Sequence, residues 1–123
     1  QTCALPIFDM AATGCQLTGN VVEKSSLNGI MLTGGSGSTA TINENKSLHN
    51  GLSGIVVAGA GFKPTLERNE CSDNGEFGIL AGTGCSGVIH NNTCRGNNLK
   101  DIGLEKAAGD IDVKENITGG DAR

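Results

Sequence analysis

Four isoleucines in fixed register constrain this chain more than any other feature. Gly29-Ile30, Gly54-Ile55, Gly78-Ile79 and Asp101-Ile102 recur at intervals of 25, 24 and 23 residues. Ten residues before each isoleucine stands an asparagine: Asn20, Asn45, Asn69 and Asn92, with Asn116 continuing the series. Two independent columns in one register call for a unit that closes on itself every 23–25 residues. Three before each asparagine come Leu17, Ile42, Leu66, Ile89 and Val113; two after it come Val22, Ser47, Cys71, Cys94 and Thr118. Five after it come Ser25, Asn50, Asn74, Asn97 and Asp121; two after each isoleucine come Leu32, Val57, Ala81 and Leu104.

Each repeat thus holds three short apolar-alternating segments separated by Asn or Gly. Period-two alternation predicts strands, and the punctuation predicts turns. With 20 glycines the chain supports little helix, and only "LKDIGLEKAAG" has the composition for a turn or two. Regular apolar spacing and a net charge of only −4 argue against disorder. The expected fold is all-β: a parallel β-helix of about 4–5 coils, 23–25 residues each, with three short strands per coil. Successive coils stack ~4.8 Å apart. Aliphatic columns then fill the core in place of aromatics, of which there are three Phe and no Tyr or Trp. The column of Asn20, Asn45, Asn69, Asn92 and Asn116 reads as an internal amide ladder, since Asn both donates and accepts and tolerates the left-handed conformation of a tight turn.

At this level the stretches "PTLERNECSDNGEFGI" and "GVIHNNTCRGNNLKDI" resemble the right-handed parallel β-helix repeats of the pectin-lyase-like superfamily. The likeness is greatest to bacterial right-handed β-helix region proteins and to carbohydrate-binding and sugar-hydrolase repeats, and covers roughly residues 13–121. The resemblance implies a right-handed coil and favours an extracellular or cell-surface setting.

The opening "QTCALPI" fits no column. It matches the translation of a widely used short-read sequencing adapter, CAG-ACG-TGT-GCT-CTT-CCG-ATC-T, whose last T can begin the Phe8 codon. Residues 1–7 are therefore read as non-native and residues 8–123 as a β-helix piece of a longer protein from metagenomic sequence; a genuine N-terminal strand or cap is the alternative. The exposed strand edges of such a piece predict end-to-end self-association.

Cys71 and Cys94 share a column on adjacent coils, near enough for a disulfide. The reading preferred here is a pair of small buried hydrophobes, since Val22, Ser47 and Thr118 occupy the same column. Neither a Cys/His cluster at metal spacing nor a P-loop appears, so no metal or cofactor is implied. Mild acidity without a basic stripe argues against nucleic acid, and no apolar run reaches membrane-spanning length. Three N-x-S/T sequons start at Asn45, Asn91 and Asn116, of which only Asn91 lies off the ladder.

The outward column two before each ladder residue reads Thr18, Asn43, Glu67, His90 and Lys114; the next reads Gly19, Glu44, Arg68, Asn91 and Glu115. Glu67, His90 and Lys114 are the catalytic candidates: a carboxylate, an imidazole and an ammonium on successive coils could supply an acid, a base and a cation. The reading preferred here is a solvated face with ion pairing, with no catalytic residue assigned. The resemblance implies that active relatives need an aspartate cluster, or a calcium-binding carboxylate set with a basic residue; Asp73, Asp101, Asp110 and Asp112 instead fall at turns or in the last irregular connection. Phe62 and Phe77 are the aromatic candidates for stacking on sugar. Two function classes follow: a non-catalytic structural or interaction scaffold, partnered by another protein, or part of a secreted polysaccharide-binding or polysaccharide-modifying protein.

Overall fold

The computed structural model describes residues 14–106 and 109–119, together with the strand backbone at Thr2–Cys3 and Ile7–Asp9. All regular structure in it is parallel β-sheet, arranged as a solenoid of about four turns. The first sheet stacks Cys15–Thr18, Thr39–Asn43, Lys63–Glu67, Gly87–His90 and Ile111–Lys114. The second stacks Thr2–Cys3, Val21–Glu23, Lys46–Leu48, Glu70–Ser72, Thr93–Arg95 and Ile117–Thr118. The third stacks Ile7–Asp9, Ile30–Thr33, Ile55–Ala58, Phe77–Ala81 and Lys100–Leu104. Lys100–Leu104 takes the stretch with the best helical composition, because strand pairing with Phe77–Ala81 outweighs local propensity.

The pairing register reproduces the sequence columns. Leu17, Ile42, Leu66, Ile89 and Val113 are successive partners in the first sheet, and Ile30, Ile55, Ile79 and Ile102 in the third. Ile30, Ile42, Ile55, Leu66, Ile79 and Ile89 are buried in one core, joined by Cys71, Cys85, Cys94 and Phe62. The thiols of Cys71, Cys85 and Cys94 are not joined in disulfides, and Cys71 and Cys94 are direct strand partners.

Two features differ from the spacing argument. Thr2–Cys3 lies parallel to Val21–Val22, so Cys3 takes a column position only 19 residues before Val22, an offset outside the 23–25 period that exposed no match in the sequence. The left-handed residues are also not the ladder asparagines. They stand one place earlier, at Gly19, Glu44, Arg68, Asn91 and Glu115, where φ lies between 54° and 72°. The corner is thus turned by that residue, and the following asparagine is left free to hold the coils together. Lys24, His49, Asp73 and Gly96 turn the second corner with φ of 55–70°, and Gly37, Gly61 and Gly84 the third with φ of 78–79°.

Candidate functional site

Asn20, Asn45, Asn69, Asn92 and Asn116 form the predicted ladder at the first corner. The backbone N–H and Nδ2 of Asn45 both donate to Asn69 Oδ1, at 3.1 and 3.0 Å. Asn69 repeats both bonds onto Asn92 Oδ1 at 2.9 Å. The remaining Nδ2 hydrogen of Asn69 goes back to Ile42 O at 2.9 Å, so one amide ties three coils. Asn45, Asn69 and Asn92 are buried, as the fixed offset to isoleucine requires.

A second ladder runs along the next corner. Asn50 donates to Asn74 Oδ1, and Asn74 to Asn97 Oδ1, each through N–H and Nδ2 at 2.9–3.0 Å. Its signal was the column Ser25, Asn50, Asn74, Asn97 and Asp121, which composition alone reads as turn punctuation. The glycine column belongs to it as well. A Cβ on Gly54 would lie 2.8 Å from Asn74 Nδ2, and one on Gly78 2.7 Å from Asn97 Nδ2. Where the glycine column ends, Asp101 Oδ1 accepts from Asn97 Nδ2 at 2.9 Å and Asp101 Oδ2 from Gly119 N–H at 2.9 Å. Asp101 is therefore a buried strand residue and not a turn residue, because its carboxylate takes the place of the next ladder amide. Asp112 is likewise in a strand, exposed on the first sheet.

Glu67, His90 and Lys114 are brought together as direct strand partners, each at the end of its strand and just before a left-handed residue. The charges are arranged around a residue outside the predicted stripe. Asp112 Oδ2 is 3.2 Å from His90 Nε2 and 3.8 Å from Lys114 Nζ. The Asp112–His90 approach is not an aligned hydrogen bond, and His90 Nε2 is itself buried. No ion pair joins Glu67 to the other two among the described residues. Asp112 was findable, since it lies two residues before Lys114 and so projects from the same face.

Phe62 does not reach solvent. It is buried at the third corner, where its ring fills the space that a side chain on Gly34 would need. Phe77 is half-buried, its ring lying across Gly103. His49 sits 3.9 Å from Asp73 at the second corner, both exposed. Open grooves follow the two ladder corners on the outside: about 610 Å³ beside Glu44, Lys46, Arg68, Glu70, Asn91 and Thr93, and about 670 Å³ beside His49, Asp73 and Asn98. Among the described residues, no group of three or more His, Cys, Asp or Glu could hold a metal ion, and no helix is long and apolar enough to cross a membrane.

No curated protein and no solved structure matches the chain. Residues 8–120 match the family model described as the right handed beta helix region. With the coil geometry and amide ladder above, the chain belongs to the right-handed β-helix region family.

Proposed function

We propose that this β-helix segment acts as a non-catalytic scaffold that presents its outer faces to another macromolecule within a larger protein. The observation that carries the reading is the state of His90. Its Nε2 is buried and turned toward Asp112, where it cannot exchange a proton with a substrate on the outer face. Lys114 shares the same exposed carboxylate, so both basic candidates of the stripe already have Asp112 as a neighbour. A second carboxylate working with Glu67 would have to come from the neighbouring column, one residue past a strand end: Glu44 on the adjacent coil, whose N–H donates to Glu67 O at 3.2 Å, or Glu115 with the His90 coil between. Incubation with pectate, alginate and related uronates, reading reducing ends and unsaturated products, is expected to give no turnover. Turnover lost in Glu67→Gln or Lys114→Ala would overturn the reading.

One observation favours the alternative, a polysaccharide-binding or polysaccharide-modifying role. The groove beside Arg68 and Lys46 runs along the coil axis, and its lining combines cations with amide and hydroxyl groups suited to sugar hydroxyls and uronate carboxylates. Binding of alginate oligomers by calorimetry that disappears in Arg68→Ala would support it over the scaffold.

A further inference from the structure

We propose that Asn28 is a site of self-modification: the backbone nitrogen of Gly29 closes on its side-chain amide, ammonia leaves, and water opens the ring to an aspartyl or isoaspartyl residue.

Asn-Gly is the dipeptide in which this cyclisation meets least steric resistance, because glycine has no side chain to crowd the attacking nitrogen. The sequence holds three: Asn28-Gly29, Asn50-Gly51 and Asn74-Gly75. The fold demands the glycines. A Cβ on Gly29 would meet Ser47 Oγ and lie 2.6 Å from Asn50 Nδ2; one on Gly51 would lie 2.5 Å from Ser26 O, and one on Gly75 would meet Gly51 O. The reactive dipeptide is thus imposed by coil packing, and what differs among the three is how each asparagine is held.

Asn50 and Asn74 are 3% and 1% exposed, and both ends of each amide are committed. Asn50 Oδ1 accepts from Ser25 N–H at 3.0 Å, while its Nδ2 donates to Ser47 Oγ at 3.1 Å and to Asn74 Oδ1 at 3.0 Å. Asn74 Nδ2 donates to Ser47 O at 3.1 Å and to Asn97 Oδ1 at 2.9 Å. Turning either amide toward the glycine that follows it breaks ladder bonds on two coils inside a site with little water.

Asn28 stands off the ladder and is half-buried. Its Nδ2 is the leaving group, and among the described residues it donates only to Met31 Sδ at 3.9 Å, a weak acceptor. Its Oδ1 accepts from Ser53 N–H at 3.0 Å. That donor draws electron density from Cγ and stabilises the oxyanion formed when the nitrogen attacks. The nucleophile does not discriminate between the sites: the N–H groups of Gly29, Gly51 and Gly75 each donate to a carbonyl on a neighbouring coil at 2.8–2.9 Å, and that bond must open first in all three.

In the reaction the Gly29 N–Cγ bond forms and the nitrogen's proton passes to hydroxide. The Cγ–Nδ2 bond breaks, and Nδ2 takes a proton and leaves as ammonia. One water then adds to the cyclic imide. Cleavage at Cγ restores the chain with an aspartate. Cleavage at the Asn28 main-chain carbonyl leaves the chain running through Cγ, one carbon longer. The longer link lies beside Gly29 N–H to Ser53 O and Ile30 N–H to Gly54 O, two bonds that join this coil to the next, so the isoaspartyl product loosens that junction.

The test is peptide mapping by mass spectrometry on the full 123-residue chain after incubation in mildly alkaline buffer, with and without urea. In the native chain Asn28 is expected to exchange its amide nitrogen for oxygen at least about tenfold faster than Asn50 or Asn74, whose reaction requires local opening of the ladder. In urea the three are expected to react at similar rates. The fraction carrying isoaspartate at position 28 is expected to unfold at a lower urea concentration than the unmodified chain. Asn28 reacting no faster than Asn50 and Asn74 in the native chain would overturn the proposal. A preference for Asn28 that persists undiminished in urea would also overturn it, since local sequence and not the fold would then select the site.

Discussion

At the residue scale, the ladder asparagine is a joint whose value depends on having a coil on either side. Asn69 Oδ1 accepts two bonds from Asn45, and its Nδ2 satisfies both Ile42 O and Asn92 Oδ1. Leucine would fit a buried site by size but would orphan the Asn45 N–H and the Ile42 carbonyl, at about 1–3 kcal/mol for each buried group left unpaired. Asn69→Leu is therefore expected to lower the urea midpoint well below that of Asn116→Leu, which removes a half-buried end member. Equal losses would show that the ladder contributes nothing through its neighbours. The cysteines make a separate case. Burial and the adjacent Cys94 hold the Cys71 thiol well above its usual range, and burial pushes Cys85 up to about 11. A raised native pKa means the folded chain keeps these protons after the unfolded chain has lost them. The stability they contribute is complete below the ordinary thiol pKa of about 8.5 and is lost as pH rises through the native values. Thermal unfolding is expected to shift downward above about pH 9, and iodoacetamide at pH 8 to label Cys71 and Cys85 only after denaturation. Rapid labelling of the native chain would contradict both.

At the scale of the strand and its corner, the sequence was legible where a column repeats one residue type and opaque where a residue's reason lies on another coil. Ile30, Ile55 and Ile79 announced the core directly. The glycine beside each was readable only as a register mark, since its cause is the next coil's carbonyl together with the Asn50, Asn74 or Asn97 amide standing where a Cβ would go. The left-handed turn was assigned to asparagine by its intrinsic tolerance, whereas Glu44 and Arg68 adopt it because the ladder bonds fix the backbone after them. Asp101 broke the glycine column and looked like an irregularity; its carboxylate finishes the second ladder instead. Asp101→Gly would restore the repeat pattern and yet is expected to destabilise the chain by about 1–3 kcal/mol, because Asn97 and Gly119 lose a buried acceptor. Asp101→Asn keeps an acceptor oxygen and is expected to cost less. Chemical denaturation of the two variants settles the order, and a Gly variant as stable as the parent would remove Asp101 from the ladder.

At the scale of the whole molecule, one column carries both fold and energetics, while function sits in the columns that do not repeat. Inward positions are dictated by the neighbours above and below, which is why a period read from Ile and Asn located the core. Outward positions such as Thr18, Asn43, Glu67, His90 and Lys114 answer to no such constraint, and their meaning depends on side-chain reach between coils, as the Asp112 contacts with His90 and Lys114 show. A stack of this kind is stabilised by nearest-neighbour coil contacts, so the cost of the same truncation should change with the number of coils flanking it. Ile89 is 1% exposed between Leu66 and Val113, whereas Val113 has a coil on one side only. Ile89→Ala leaves a cavity that the two neighbouring coils cannot close and is expected to cost about 2–5 kcal/mol. Val113→Ala removes surface already facing water and is expected to cost about 1 kcal/mol or less. Both are read by urea unfolding at the same low protein concentration. Equal costs for the two would mean that the coils unfold without nearest-neighbour coupling.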